Sequence, residues 1–193
     1  MHGAVSKGGL AMVTARDVAN YLIYLMNDSC DDLSNMKINK LLYYAQGHSY
    51  QRTGHPLFAD PIEAFDHGPV VFDVYQKYSG ARNNAIKEYD KTCLENLTDD
   101  EKELLLDVAR EYGKYTASAL RIMTHKPGSP WDITYRYGAM HNVIPEEMIA
   151  DYFMSKEPVL RSLEQSFSDD DYVGFRDEDG YLVLPREWSD EEV

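Results

Sequence analysis

The sequence predicts a mainly α-helical domain with a small β element, followed by an acidic C-terminal extension. Three observations predict it. Apolar residues recur at helical spacing in segment after segment between positions 14 and 154. A proline-bounded stretch at 56–67 breaks that rhythm and alternates instead. Charge is uneven: positions 164–193 hold 11 acidic and 2 basic residues, net −9, which leaves −5 of the chain's −14 for residues 1–163. At 193 residues the chain is one domain with a tail. We divide it into a loose N-terminal extension (1–12), a helical domain (13–158) and an acidic extension (159–193). Met12, just before Val13-Thr14, offers an alternative start to Met1.

The first helix is expected to open at Thr14, with Asp17 three residues on as a capping-box partner. Val18, Leu22, Leu25 and Met26 make its apolar face, and Asn27-Asp28-Ser29 ends it. Ser34 or Asn35 caps a second helix running to about Arg52. Ile38, Leu41, Leu42, Ala45 and Ser49 form one buried stripe, with Tyr43 and Tyr50 on a neighbouring face. Gly47 interrupts that helix at a cost of about 1 kcal/mol relative to Ala, so it is expected where another backbone comes close. Thr53-Gly54 is the stop.

Pro61, with Ile62 and Ala64 alternating against Glu63 and Phe65, marks an extended segment or hairpin arm. Gly68-Pro69 is expected to start a third helix, because proline fits a first turn. Asp66 would cap it and His67 would brace the turn. Ser79-Gly80 ends it. The stretch Ala85-Ile86-Lys87-Glu88-Tyr89 is open to a short strand. Thr98 with Glu101 is a capping box that opens a helix carrying Leu104, Leu105, Val108, Ala109 and Tyr112, closed at Gly113. A further helix spans 116–125. Lys126-Pro127-Gly128-Ser129-Pro130 breaks the chain, and one or two helical turns follow from Trp131. Pro145 starts the last helix of the domain, with Met148, Ile149, Tyr152 and Phe153 inward. In the extension, 172–175 and 181–184 read as two short strands around a turn.

Several classes of function find no support. His48, His55 and His67 are near in sequence, but none is paired at i, i+4, and neither Cys30 nor Cys93 has a CxxC neighbour; no metal is expected. No nucleophile elbow or phosphate-cradling glycine loop is present, and carboxylate pairs such as Asp99-Asp100 sit at helix starts, where they favour the macrodipole. Neither a catalytic residue nor a cofactor is therefore assigned. A near-neutral body without a basic stripe argues against direct nucleic-acid binding. Two cysteines, no apolar leader and no apolar run near the length of a membrane span point to the cytoplasm.

What remains is recognition. Tyrosine is frequent, 15 of 193 residues, and it is a residue of contact surfaces. Tyr43, Tyr44, Tyr50, Tyr75 and Tyr78 share two predicted helices and suit either an aromatic patch or core edges. Lys40, Asp66 and His67 join them as candidate partner-binding residues. Gly47, Gly68, Pro69, His125 and Trp131 are the candidate structural positions.

Two runs carry a resemblance: Asn39-Lys40-Leu41-Leu42-Tyr43-Tyr44-Ala45-Gln46-Gly47 and Glu63-Ala64-Phe65-Asp66-His67-Gly68-Pro69-Val70-Val71. With Thr124-His125, Pro130-Trp131 and Ile144-Pro145 following in order, the chain resembles the Panacea domain of SocA-like and phage-associated GepA-like antitoxins over residues 14–154. Phe65 stands where many relatives have Trp, and His67 where many have Tyr. The resemblance implies a mainly helical fold and no catalysis. It implies direct binding and blocking of a protein toxin encoded by an adjacent gene, the toxins met by such domains belonging to several unrelated folds. In one branch the domain is instead an adaptor that delivers the toxin to an ATP-dependent protease. The acidic extension lies outside the resemblance; its charge suits masking of a basic groove on the partner.

Overall fold

The computed structural model describes residues 12–27, 33–81, 84–138 and 142–157, together with the backbone of two short strands further on. The chain separates into two units, Met1–Leu160 and Arg161–Val193. The expectations for residues 1–11 and for most of the acidic extension lie outside the described residues. Within that extension, β-strands Phe175–Arg176 and Leu182–Val183 pair antiparallel.

The first unit is built around one helix. Helix α1 is Ala15–Met26; its cap is Thr14, and the full capping box with Asp17 is formed. Helix α2, Asn35–Thr53, starts at the Ser34 cap and ends at Gly54 in the left-handed region (φ 72°). Strands β1 (Ile62–Phe65) and β2 (Gly68–Val71) form an antiparallel hairpin. Helix α3 (Phe72–Lys77) follows directly, then a 3-10 turn at Ser79–Ala81. Helices α4 (Cys93–Asn96), α5 (Asp99–Tyr112), α6 (Ala117–Thr124), α7 (Pro130–Thr134) and α8 (Glu146–Met154) complete it. The architecture is mainly helical with a small two-stranded sheet, as the periodicity predicts.

Helix α2 packs against α1, α3, α5, α6, α8 and β2. The predicted stripe of Ile38, Leu41, Leu42, Ala45 and Ser49 is buried, but so is nearly everything else from Lys37 to Tyr50. A helix with this many polar residues is buried all round because those side chains end on backbone groups of the surrounding loops and helices. Asn35 donates to the Tyr75 carbonyl (2.9 Å) and Lys37 to that of Gly113 (2.9 Å). Gln46 donates to the Phe58 carbonyl (3.0 Å), and its own carbonyl accepts from the amides of Leu57 and Phe58 (3.0 and 3.2 Å). Gln51 donates to the carbonyls of Phe153 and Lys156 (3.0 and 2.9 Å). Each bond fixes a loop or a neighbouring helix to α2.

Four sequence expectations change. Gly68-Pro69 does not begin a helix: Gly68 has φ 103°, and Val70 and Val71 lie opposite Glu63 and Ile62 in the hairpin. Proline is tolerated there because, among the described residues, no strand pairs with the outer edge of β2. Asp66 is accordingly not a helix cap; α3 starts after Val71, with no side-chain cap. The 85–89 stretch forms no strand, its tie to the core being the Ile86 amide donating to the Leu33 carbonyl (2.9 Å). Lastly, what crowds Gly47 is a ring, not a backbone: a β-carbon there would stand 2.3 Å from Phe153.

Candidate functional site

The hairpin is where the separate sequence runs meet. A two-stranded hairpin is marginal alone, and each edge of this one is held by other parts of the chain. On the β1 side, Ala64 donates to the Asn142 carbonyl (2.7 Å) and the Ile144 amide donates to the Ile62 carbonyl (2.8 Å). On the β2 side, the bonds come from α2 side chains. Asn39 accepts from the Val71 amide (2.9 Å), and the Lys40 ammonium donates to the Pro69 carbonyl (2.8 Å). Side chains thus replace the missing neighbour strand.

The turn itself, Asp66-His67, is clamped by α6 and α7. The Trp131 indole N–H donates to the Phe65 carbonyl (2.7 Å). The Tyr135 hydroxyl donates to the Asp66 carboxylate (2.8 Å). The Trp131 ring lies between His125 (3.6 Å between ring centres) and Tyr135 (4.7 Å, 17° between planes). His125 has carbonyls at both nitrogens, Arg121 at 2.6 Å from Nδ1 and Asp66 at 3.5 Å from Nε2. Burial pushes its pKa down. A neutral ring donates one N–H, and the shorter contact takes it. Ser129 caps α7 and also donates to the Thr124 carbonyl (2.8 Å), which sets the α6–α7 break against the hairpin. Gly68 is obligatory: beyond its positive φ, a β-carbon would lie 2.7 Å from Lys40 Cε and 2.9 Å from Thr124 Oγ1.

Lys40 is fully buried, and burial, with Arg121 adding repulsion, lowers its pKa to about 7. Tyr43, Tyr44, Tyr50 and Tyr78 are buried as well. Tyr44 stacks on Tyr112 at 4.0 Å, and Tyr43 meets Phe153 edge-on at 5.5 Å. The Tyr50 hydroxyl donates to Glu146 (3.3 Å) and that of Tyr78 to Asn20 (3.1 Å). These five side chains offer no surface to a partner in this conformation. Asp66, His67 and Tyr75 are exposed, Tyr75 at 41%. Tyr75 is not isolated: its ring centre is 5.8 Å from Phe65, which is 6.2 Å from Phe72. The residues that a reading of the sequence missed are Asn39, Tyr135 and the two rings beside Tyr75, Phe65 and Phe72. Polar residues in the middle of an apolar helical run were the available signal for Asn39; nothing local marks Tyr135.

Among the described residues, no group of three or more His, Cys, Asp or Glu side chains is placed to hold a metal ion. No helix among them is long and apolar enough to cross a membrane.

The family model described as "Antitoxin SocA-like, Panacea domain" matches residues 38–132. Antitoxin SocA of Caulobacter vibrioides (strain NA1000 / CB15N) is 34% identical over 131 residues, covering 63% of this chain and 70% of that protein. No solved structure matches the chain at a significant level.

Proposed function

The chain belongs to the family of SocA-like antitoxins with a Panacea domain, and from that premise we propose that it neutralises a cognate protein toxin in the cytoplasm by binding it directly, without catalysis. The partner is the product of an adjacent gene. The observation that carries the reading is the convergence of all five motif runs on one hairpin, whose tip residues Asp66 and His67 remain exposed while everything behind them is fixed. A rigid turn presented on a buried helical frame suits protein recognition, because little ordering entropy remains to be lost on binding. Asp66, His67 and the Phe65–Phe72–Tyr75 group form the proposed contact face. Lys40, Tyr43, Tyr44, Tyr50 and Tyr78 support that face from inside.

The test is co-expression with the adjacent gene product. Growth arrest by the neighbour alone, rescue by this chain and a stable co-purified complex are expected. His67→Ala and Tyr75→Ala should weaken the complex without lowering the melting temperature, and full affinity in both variants would move the interface elsewhere. A harmless neighbour with no complex would overturn direct neutralisation. Rescue accompanied by protease-dependent loss of the neighbour would replace it with an adaptor role.

A further inference from the structure

A cavity of about 160 Å³ lies between α2, α5, α6 and α8. Its walls are rings: Tyr44 stacked on Tyr112, Phe153 edge-on to Tyr44 at 6.1 Å, and Tyr152 edge-on to Phe153 at 5.6 Å. Its volume is that of a protein cavity which accepts one benzene-sized molecule, about 150 Å³. Aromatic walls favour a flat ring in offset or edge-on contact.

The rim has a definite charge. Lys126 and Lys156 both line the cavity and are exposed, with Glu157 as the one rim carboxylate. Among the described residues, neither ammonium makes an ion pair; that of Lys156 sits 4.3 Å from the Tyr152 ring centre. In a chain of net charge −14 this leaves a locally positive mouth on an apolar pocket. Apolar flat walls and a cationic rim together match one ligand chemistry.

We propose that this cavity binds a small aromatic anion, a single ring bearing a carboxylate, with the ring among Tyr44, Tyr152 and Phe153 and the carboxylate facing Lys126 and Lys156. The site stands whether or not the chain binds a toxin. It shares the α6–α7 segment with the hairpin clamp, since Lys126 and Ser129 line it while His125 and Trp131 hold the turn.

Benzoate is the probe, titrated into the full chain carrying ¹³C-methyl methionine. Met123 lines the cavity and Met26 is buried in α1, so the two methyls are reporter and control. The Met123 signal should shift saturably, with half-saturation in the millimolar range expected for so small a ligand, while Met26 stays in place. Benzamide, of the same shape without the charge, should bind roughly fivefold or more weakly, given two exposed ion pairs. Changing Lys126→Gln and Lys156→Gln together should bring benzoate to the level of benzamide without altering the melting temperature. No saturable Met123 shift would mean a pocket for water only and would overturn the proposal. Equal binding of benzoate and benzamide to the unaltered chain would overturn the anionic ligand.

Discussion

The Lys40 ammonium, fully buried, reaches 2.8 Å from the Pro69 carbonyl and so bolts the hairpin to helix α2. Its ammonium ends on that carbonyl with Arg121 as the neighbouring charge, and burial first, then Arg121, lowers its pKa to about 7 from 10.5. In the unfolded chain the group keeps its ordinary value. Above pH 10.5 both states are neutral and the lysine costs nothing. Below about pH 7 both carry the proton and the fold bears the whole cost of a buried charge. Stability should therefore rise with pH between about 7 and 10.5, by up to about 5 kcal/mol from this group. Denaturant melts across that range test it. Lys40→Met should flatten the rise, and an unchanged slope in that variant would assign it to other groups.

The opposite window belongs to His48. Its Nδ1 is 3.0 Å from the Gln51 side-chain oxygen and its Nε2 2.7 Å from the Tyr112 hydroxyl. Gln51 uses its amide nitrogen on two carbonyls, so its oxygen faces His48 and takes the Nδ1 proton. Nε2 is then the acceptor from Tyr112, which only a neutral ring permits. Burial lowers the pKa to about 4. As pH falls from 6.5 towards 4 the unfolded chain binds a proton that the folded chain refuses. Stability should drop by up to about 3 kcal/mol across that interval. His48→Gln should lose this acid slope, measured by melting temperature between pH 7 and 4.

At Gly47 two effects compete. Alanine gains about 1 kcal/mol in helix propensity. Its β-carbon, however, would stand 2.3 Å from the buried Phe153 ring, and overpacking a core costs about 1–3 kcal/mol or more. The clash should win, with Gly47→Ala destabilised by about 2 kcal/mol. Phe153→Leu in the same chain should recover part of the loss as a positive coupling. An alanine variant as stable as the parent would contradict the packing described for α2 and α8.

Trp131→Phe keeps the ring between His125 and Tyr135 but removes the N–H that reaches the Phe65 carbonyl. A lost bond to a part-buried carbonyl should cost about 1–3 kcal/mol. The change should also loosen the turn, so amide exchange at Asp66 and His67 should quicken more than in α5. Uniform acceleration throughout the domain would mean that Trp131 serves the core and not the hairpin.

Local patterns were legible where neighbours in sequence settle the matter. The capping boxes at Thr14 and Thr98, the stop at Gly54 and the helix at 117–124 follow from spacing and side-chain geometry within a few residues. Gly68-Pro69 misled because the same dipeptide suits a first helical turn and an unpaired strand edge. The choice between them rests on Asn39 and Lys40, about thirty residues earlier, which answer the free backbone groups of β2. The tyrosines stayed open between surface patch and core edge for a related reason. An aromatic with a polar tip looks the same in sequence whether water or a buried partner satisfies its hydroxyl, and for Tyr50 and Tyr78 the partners are Glu146 and Asn20.

The sequence by itself determined the helical class, most helix bounds, the break at 126–130 and the membership signalled by five short runs. Periodicity, caps and breakers act over one or two turns and need no tertiary context. Only the tertiary structure decided that α2 is buried on every face, that the five runs assemble around one turn, and that Asp66, His67 and Tyr75 alone of the candidate contact residues face outward. Burial of a polar residue depends on whether distant backbone groups complete its hydrogen bonds. That satisfaction is a property of the packed chain, not of any segment of it.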